Sequence, residues 1–319
     1  LLGTLVLFIP KSLNAQTAGP NNPVTGTNVN TTGTVLWTNS GNITNTADLS
    51  YATAVFSGSA NSNYLQGSNY GFAIPSGAII NGIVVTINRR TSATNAGRVT
   101  RDNVVSLVKG GVITGNNKFS AAAYTTSFVT VSYGSVTDTW GTTWTPADIN
   151  ASNFGAVLSV NANNTLTASV DHIRITIHYT TITFSSTSAC TGSSSTVVID
   201  GNNLIGTTAV TFDGSAATFI QTSNTRVTAT LPAGATTGPI TLTTPSGTAT
   251  SASNFLVNPL PTVAPISGTT SVCVGATTTL SNTTASGTWS SASSNATINS
   301  SGIVSSLFIL NSETCVSFL

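Results

Sequence analysis

Residues 231–247 read LPAGATTGPITLTTPSG. A turn-rich half hands over to Ile240, Leu242 and Thr244, which alternate with Thr241 and Thr243, and a second turn follows at Pro245-Ser246-Gly247. Period-two alternation held between tight turns predicts a half-buried antiparallel strand, one face toward a core. The pattern continues outward. Residues 197–204, VVIDGNNL, give a strand, a Gly-Asn turn and an apolar anchor at Leu204. Residues 209–214, AVTFDG, give another strand and turn, and residues 254–257, NFLV, a closing strand.

Together these stretches resemble the IPT/TIG family, immunoglobulin-like modules of bacterial surface proteins and secreted enzymes. The resemblance implies an Ig-like β-sandwich over residues 181–258 and an extracellular setting; it implies no activity. One departure is Thr187-Ser188-Ala189-Cys190, where the family often has a Pro near its first strand.

Upstream, residues 35–180 carry many short strands separated by turns, the pattern of a sandwich or jelly roll. Ile83, Val85 and Ile87 alternate with Val84, Thr86 and Asn88. Residues 104–108 are apolar on both faces, as a central strand requires. Phe128, Thr130 and Ser132 alternate with Val129, Val131 and Tyr133, and residues 154–160 and 170–179 supply two further strands. One helical turn is signalled at Thr145-Pro146-Ala147-Asp148, with Thr145 as cap and Pro146 at the first helical position. Two stretches, FAIPSGAIINGIVVTINRR at 72–90 and DTWGTTWTPADINASNFG at 138–155, resemble sandwich segments of secreted bacterial surface proteins and phage structural proteins.

At the N-terminus, residues 1–16 read as a signal-peptide remnant: an apolar run to Ile9, then a cleavage point near Ala15-Gln16. The lack of a basic leader and of any Met points to a chain that begins inside its signal. Residues 17–34, rich in Asn, Thr, Gly and Pro, read as a linker. Beyond the stiff stretch Asn258-Pro259-Leu260-Pro261, residues 259–319 resemble the start of another bacterial Ig-like repeat with Trp289 in its core. Its tail, SSLFILNSETCVSFL, loses the alternation and carries the chain's only Glu, Glu313; it reads as a truncated, aberrant end. The expected fold class is therefore all-β, as tandem β-sandwiches: a jelly-roll-like domain, an Ig-like IPT/TIG domain and a truncated Ig-like repeat.

Only 5% of the 319 residues are charged, against roughly 25% in an ordinary soluble protein. Thr, Ser, Asn and Gly carry the polarity, and after residue 16 no apolar run approaches the roughly 20 residues that span a bilayer. A formal net charge of +1 gives no pull toward nucleic acid or anionic membranes. Three scattered cysteines, Cys190, Cys273 and Cys315, make neither a disulfide framework nor a metal motif. Buried free thiols are the expectation, with a lost disulfide partner as the alternative.

Catalytic and metal signals are weak. His172 and His178 share a strand face about 20 Å apart, too far to hold one metal. Five of the carboxylates fall in the first unit, a number that leaves room for a glycosidase-like pair about 5 to 9 Å apart, but each has a local structural explanation. Asp200-Gly201-Asn202-Asn203 raises calcium binding, but turn chemistry accounts for it. No nucleophile elbow, zinc, phosphate-loop or EF-hand spacing is present. Two binding signals stand out. Arg89, Arg90, Arg98, Arg101, Lys109 and Lys118 gather six of the nine basic residues and predict a basic patch for an acidic glycan or phosphate, against a reading as solvated strand ends. Arg89 and Arg90 must point to opposite faces, so one falls outside such a patch. Trp37, Trp140 and Trp144, with Tyr64, Tyr70 and Tyr124, offer flat faces to sugar rings, against a reading as core and loop packing.

The expected ligand-binding residues are Trp37, Trp140, Trp144, Arg90, Arg98 and Arg101. The expected function is non-catalytic adhesion or display at the cell surface, with glycans or other surface polymers as partners, no cofactor and no nucleic acid. The alternative is an accessory carbohydrate-binding and spacer region of a secreted polysaccharide-degrading enzyme.

Overall fold

The structure, a computed structural model, describes residues 16–95, 97–260, 262–284, 287–292, 294–306 and 315–317. The expected signal peptide lies outside the described residues except for Gln16, which opens a strand. Described backbone is almost entirely β-strand, with one 3-10 turn at Ser40–Thr44 and one short helix, α1, at Pro146–Asn150. The chain divides into two compact units that meet between Asn258 and Pro259.

The first unit begins with ten strands in one hydrogen-bonded system. They are β1 (Gln16–Asn21), β2 (Thr25–Val29), β3 (Trp37–Thr38), β4 (Ala52–Asn61), β5 (Tyr64–Ser68), β6 (Ile79–Thr91), β7 (Thr100–Lys109), β8 (Val112–Thr114), β9 (Val129–Gly134) and β10 (Gly155–Thr180). Residues 17–34 are therefore not a linker. β1 pairs with the end of β10, and β2 pairs with β5. Their polar side chains suit edge positions, where only the backbone is asked to pair.

β10 is the spine. Its first part pairs with β5 and β7, its middle with β4 and its last part with β6 and β1. The sequence predicts two strands here, parted by the polar run Asn161-Ala162-Asn163-Asn164-Thr165. One strand of 26 residues runs through instead. The polar run contains no Gly or Pro to turn it, and Asn61 to Ser57 of β4 pair with it; Asn161, Asn163, Asn164 and Thr165 face solvent while Ala162 turns into the core. Core side chains come from alternate positions: Ile83, Val85 and Ile87 of β6, Ile173, Ile175 and Ile177 of β10, with Phe56, Leu65 and Phe154 between them. In β9 Tyr133 is buried and Val131 packs partly against the core, while Val129 at the start of this edge strand stays exposed.

α1 is capped as the sequence predicts. The Thr145 hydroxyl accepts from the Asp148 N–H, and the Asp148 carboxylate accepts from the Thr145 N–H at 2.8 Å. The helix sets Ile149 into the core.

After two residues the chain enters a second sandwich. One sheet joins β11 (Thr183–Phe184), β13 (Thr196–Asp200), β16 (Phe219–Ser223) and β17 (Arg226–Thr230). The other joins β12 (Ser188–Cys190), β14 (Ala209–Phe212), β15 (Ser215–Ala216), β18 (Gly238–Thr244) and β19 (Gly247–Asn258). β18 holds the decisive stretch of sequence, and Ile240, Leu242 and Thr244 are all buried. Ile240 and Leu242 share a core with Val197, Ile199 and Val227 of the facing sheet, with Phe212 set edge-on to Phe255 at 5.3 Å. β12 runs parallel to β19 and shortens its open edge.

This sandwich is joined to the first by more than the chain. Ile79 at the start of β6 is buried in the second core, not the first. The Thr250 N–H donates to the Gly77 carbonyl at 2.9 Å. Residue 77 has to be glycine, because a Cβ there would lie 2.2 Å from the Thr250 carbonyl oxygen.

In the second unit, β20 (Ser271–Cys273) pairs with β24 (Cys315–Ser317), while β21 (Thr277–Thr279), β22 (Ala296–Ile298) and β23 (Ile303–Ser306) form a small sheet. The core is slight: Val272, Leu280, Ala296 and Val304, with Trp289 only partly buried against them. Of the tail expected to be aberrant, residues 307–314, 318 and 319 lie outside the described residues. The expectation of buried free thiols is corrected on two counts. Cys190 is free but exposed, on the short strand β12, and Cys273 is disulfide-bonded.

Candidate functional site

The predicted basic patch is not assembled. Arg89 and Arg90 point to opposite faces, as strand geometry demands, and the inward Arg89 meets Asp102 of β7. Both side chains are buried, and Arg89 Nε lies 3.3 Å from the carboxylate. Asp102 also accepts from the Tyr124 and Tyr133 hydroxyls, each at 2.7 Å, and from the Ser120 N–H at 2.9 Å. Arg89 donates to the Tyr133 oxygen and lies over the Tyr124 ring, 3.9 Å from its centroid. Burial drives both tyrosine hydroxyls to higher pKa, and the Asp102 charge adds to this. β6 and β7 share no ladder with each other, and this network ties them directly, together with the hydrogen bond between the Thr91 and Thr100 hydroxyls at 2.9 Å. A buried pair with its hydrogen bonds satisfied holds structure in place and offers nothing to a ligand.

Lys109 and Lys118 are paired as well. Lys109 reaches Asp148 at 2.9 Å and Lys118 reaches Asp138 at 2.7 Å. Burial raises the pKa of these two carboxylates, but the lysines and the Thr145 and Trp140 N–H groups outweigh it, so both end lowered. Arg101 of β7 stands opposite Asn161 in the first part of β10, and Arg98 lies just before β7. Arg90 stands opposite Ser169. Eight residues of strand, about 26 Å, separate those positions. Arg90 therefore cannot act with Arg98 and Arg101 on one small ligand.

The tryptophans are core. Trp37, Trp140 and Trp144 are buried, and each indole N–H is satisfied within the protein. Trp37 donates to Ser62 Oγ and the Asn63 carbonyl, Trp140 to the Ile83 carbonyl, and Trp144 to the Thr139 carbonyl. Tyr70 and Tyr124 are buried too. A ring covered on both sides has no face for a sugar, so the packing reading replaces the ligand reading for these side chains.

A different group does come together outside. Arg90 lies over the Phe128 ring at 4.6 Å and the Tyr51 ring at 5.2 Å, and the two rings are 4.6 Å apart. The three side chains come from β6, from the approach to β9 and from the approach to β4. All are half-buried. Register fixes what lies beside them. Asn88 stands opposite His172 and Thr86 opposite Arg174, on the same outward face as Arg90. The Asn88 amide donates to Thr130 of β9. His172 is oriented by Asp171, which sits at a bulge of β10 and contacts the ring Nδ1 at 2.6 Å. Asp171 accepts the Ala47 N–H as well. Arg174 donates to the Pro20 carbonyl, and its Nε is buried without a partner. Sequence reasoning missed Tyr51, Phe128, His172 and Arg174. The signal for Arg174 was its place in the alternation His172, Arg174, Thr176, His178, the outward half of a strand whose other half is isoleucine.

Among the described residues no three His, Cys, Asp or Glu side chains cluster. The Asp200-Gly201-Asn202-Asn203 turn commits its carboxylate to Arg226, whose Nε and Nη2 both donate to it. No described helix is long and apolar enough to cross a membrane.

Comparison with known proteins agrees with the second sandwich. The family model of the IPT/TIG domain matches residues 180–257, so this stretch of the chain is an IPT/TIG domain, an Ig-like, non-catalytic module often found in surface or extracellular proteins. No curated protein matches the chain.

Proposed function

We propose that the chain is a non-catalytic extracellular module for adhesion or display. Its N-terminal sandwich holds a glycan, and the IPT/TIG domain sets that sandwich at a distance from its attachment. The observation that carries the glycan reading is the Tyr51–Phe128–Arg90 cluster: two partly open rings beside a guanidinium, on an outer face that also presents Thr86, Asn88, His172 and Arg174. Such a face suits a sugar, which needs a flat apolar contact and scattered hydrogen bonds. The carboxylates of the sandwich favour a non-catalytic role. Asp102, Asp138, Asp148 and Asp171 are each committed to a cationic or histidine partner, and Asp48 accepts a local backbone N–H. The test is a glycan array probed with the full chain. At least one glycan class should bind, and Tyr51→Ala should weaken it by roughly 2- to 12-fold, the 0.5–1.5 kcal/mol of an aromatic contact. Silence on every class removes the reading.

A further inference from the structure

We propose that the glycan is acidic and that its carboxylates are taken by Arg90 and Arg174. The inference rests on the glycan reading above and names its substrate class. Four ion pairs hold Arg89, Lys109, Lys118 and Arg226, and Asp171 hydrogen-bonds the His172 ring. Arg90 and Arg174 have no carboxylate within ion-pair distance among the described residues. In a chain with only eight acidic residues against nine basic ones, their meeting on one face creates a local excess of positive charge.

Their geometry suits a chain of sugars. Arg174 stands opposite Thr86, and Thr86 lies four residues from Arg90 along β6. That is about 13 Å of strand, a gap that a short oligosaccharide spans with a carboxylate at each end. Between them lie Asn88 and His172, able to hydrogen-bond ring hydroxyls. Of the two acids in this region, Asp171 is occupied by the His172 ring and the Ala47 N–H, and Asp48 accepts the Ser50 N–H. Guanidinium matches carboxylate in a planar two-point contact. Arg90 is also held in place by its rings, which lowers the entropy lost when it binds.

The experiment is calorimetric titration of the full chain with tetragalacturonate and, in parallel, with neutral cellotetraose. Wild type should bind the uronate more tightly, and less tightly as salt rises. Arg90→Gln and Arg174→Gln should each weaken uronate binding about tenfold, Arg90→Lys by less. Arg98→Gln and Arg101→Gln, at the far part of β10, should leave it unchanged. Near-UV circular dichroism identifies any variant that fails to fold, and Arg90→Lys then carries the test at that position. Uronate binding that survives the paired Arg90→Gln, Arg174→Gln change overturns the inference, as does equal loss with Arg98→Gln or Arg101→Gln. Binding of the neutral sugar alone overturns it while sparing the glycan reading. Binding of neither sugar overturns the acidic assignment and leaves the array to decide the broader reading.

Discussion

Asp102→Asn should be among the most damaging single changes in the first sandwich. Asn is nearly the same size, so no cavity opens, and the cost isolates charge and hydrogen bonding. Asp102 is the acceptor for two tyrosine hydroxyls and the Ser120 N–H, and the counter-ion of Arg89, with both charged side chains buried. The amide can replace at most part of this set, and it leaves the Arg89 guanidinium buried without an opposite charge. Breaking a buried pair from one side costs about 3–5 kcal/mol. For a body of this size each kcal/mol lowers the melting temperature by about 2–4 °C, so the expected fall is about 6–20 °C. Thermal unfolding followed by tryptophan fluorescence measures that fall, and urea titration the loss of free energy. The damage should also be local: the Ser120 N–H is held by Asp102, so amide exchange near residue 120 should accelerate first. Replacing both charges, with Arg89→Met and Asp102→Leu, should cost less than the sum of the single changes, with a coupling of about 1–3 kcal/mol. A loss under about 1 kcal/mol for Asp102→Asn would place the pair among exposed ion pairs and refute the argument.

Three further outcomes are expected. Burial pushes up the pKa of the Tyr70, Tyr124 and Tyr133 hydroxyls. Their contribution to stability is therefore complete below the unfolded tyrosine value of about 10 and is lost as pH rises beyond it. The urea midpoint should accordingly fall on the alkaline side of pH 10, and a midpoint flat to pH 12 would contradict this. Ile79→Ala should cost about 2–5 kcal/mol, and its effect should appear as faster amide exchange in β18 and β19, although Ile79 belongs to β6; a change confined to the first sandwich would show that the two cores are independent. Thr145→Ala removes one half of the capping box and should cost about 0.5–2 kcal/mol, read from the melting temperature.

The IPT/TIG domain was legible because its signals are local. Ile240 and Leu242 alternate with threonines, turns bound them on each side, and the predicted inward residues are the buried ones. The first sandwich was legible as a class of fold but not in its pairing. β10 passes through Asn161 and Asn164 because β4 lies alongside, and no property of those asparagines announces a distant partner. β1 and β2 were hidden for the same reason, since edge strands need only backbone. The basic cluster misled because closeness in sequence says little about closeness across a sheet. One clue was present: Arg89 continues the inward register of Ile83, Val85 and Ile87. An arginine at an inward position needs a buried acid, and Asp102 is the acid that meets it. Arg174 became visible as Arg90's neighbour only once the β6–β10 register was known.

The junction between the sandwiches bears on how the chain carries tension. A pull transmitted from the IPT/TIG domain enters the first sandwich at Thr180, the last residue of β10. There β10 lies between β6 and β1, both antiparallel to it. Inter-strand hydrogen bonds run across such strands, so a pull on Thr180 resisted at the outer face near Arg90 shears the β6–β10 ladder, and many bonds must yield at once. A pull resisted at Gln16, which pairs with Tyr179, instead peels β1 away bond by bond. Resistance to rupture is then governed by the rate of unfolding under load and not by equilibrium stability.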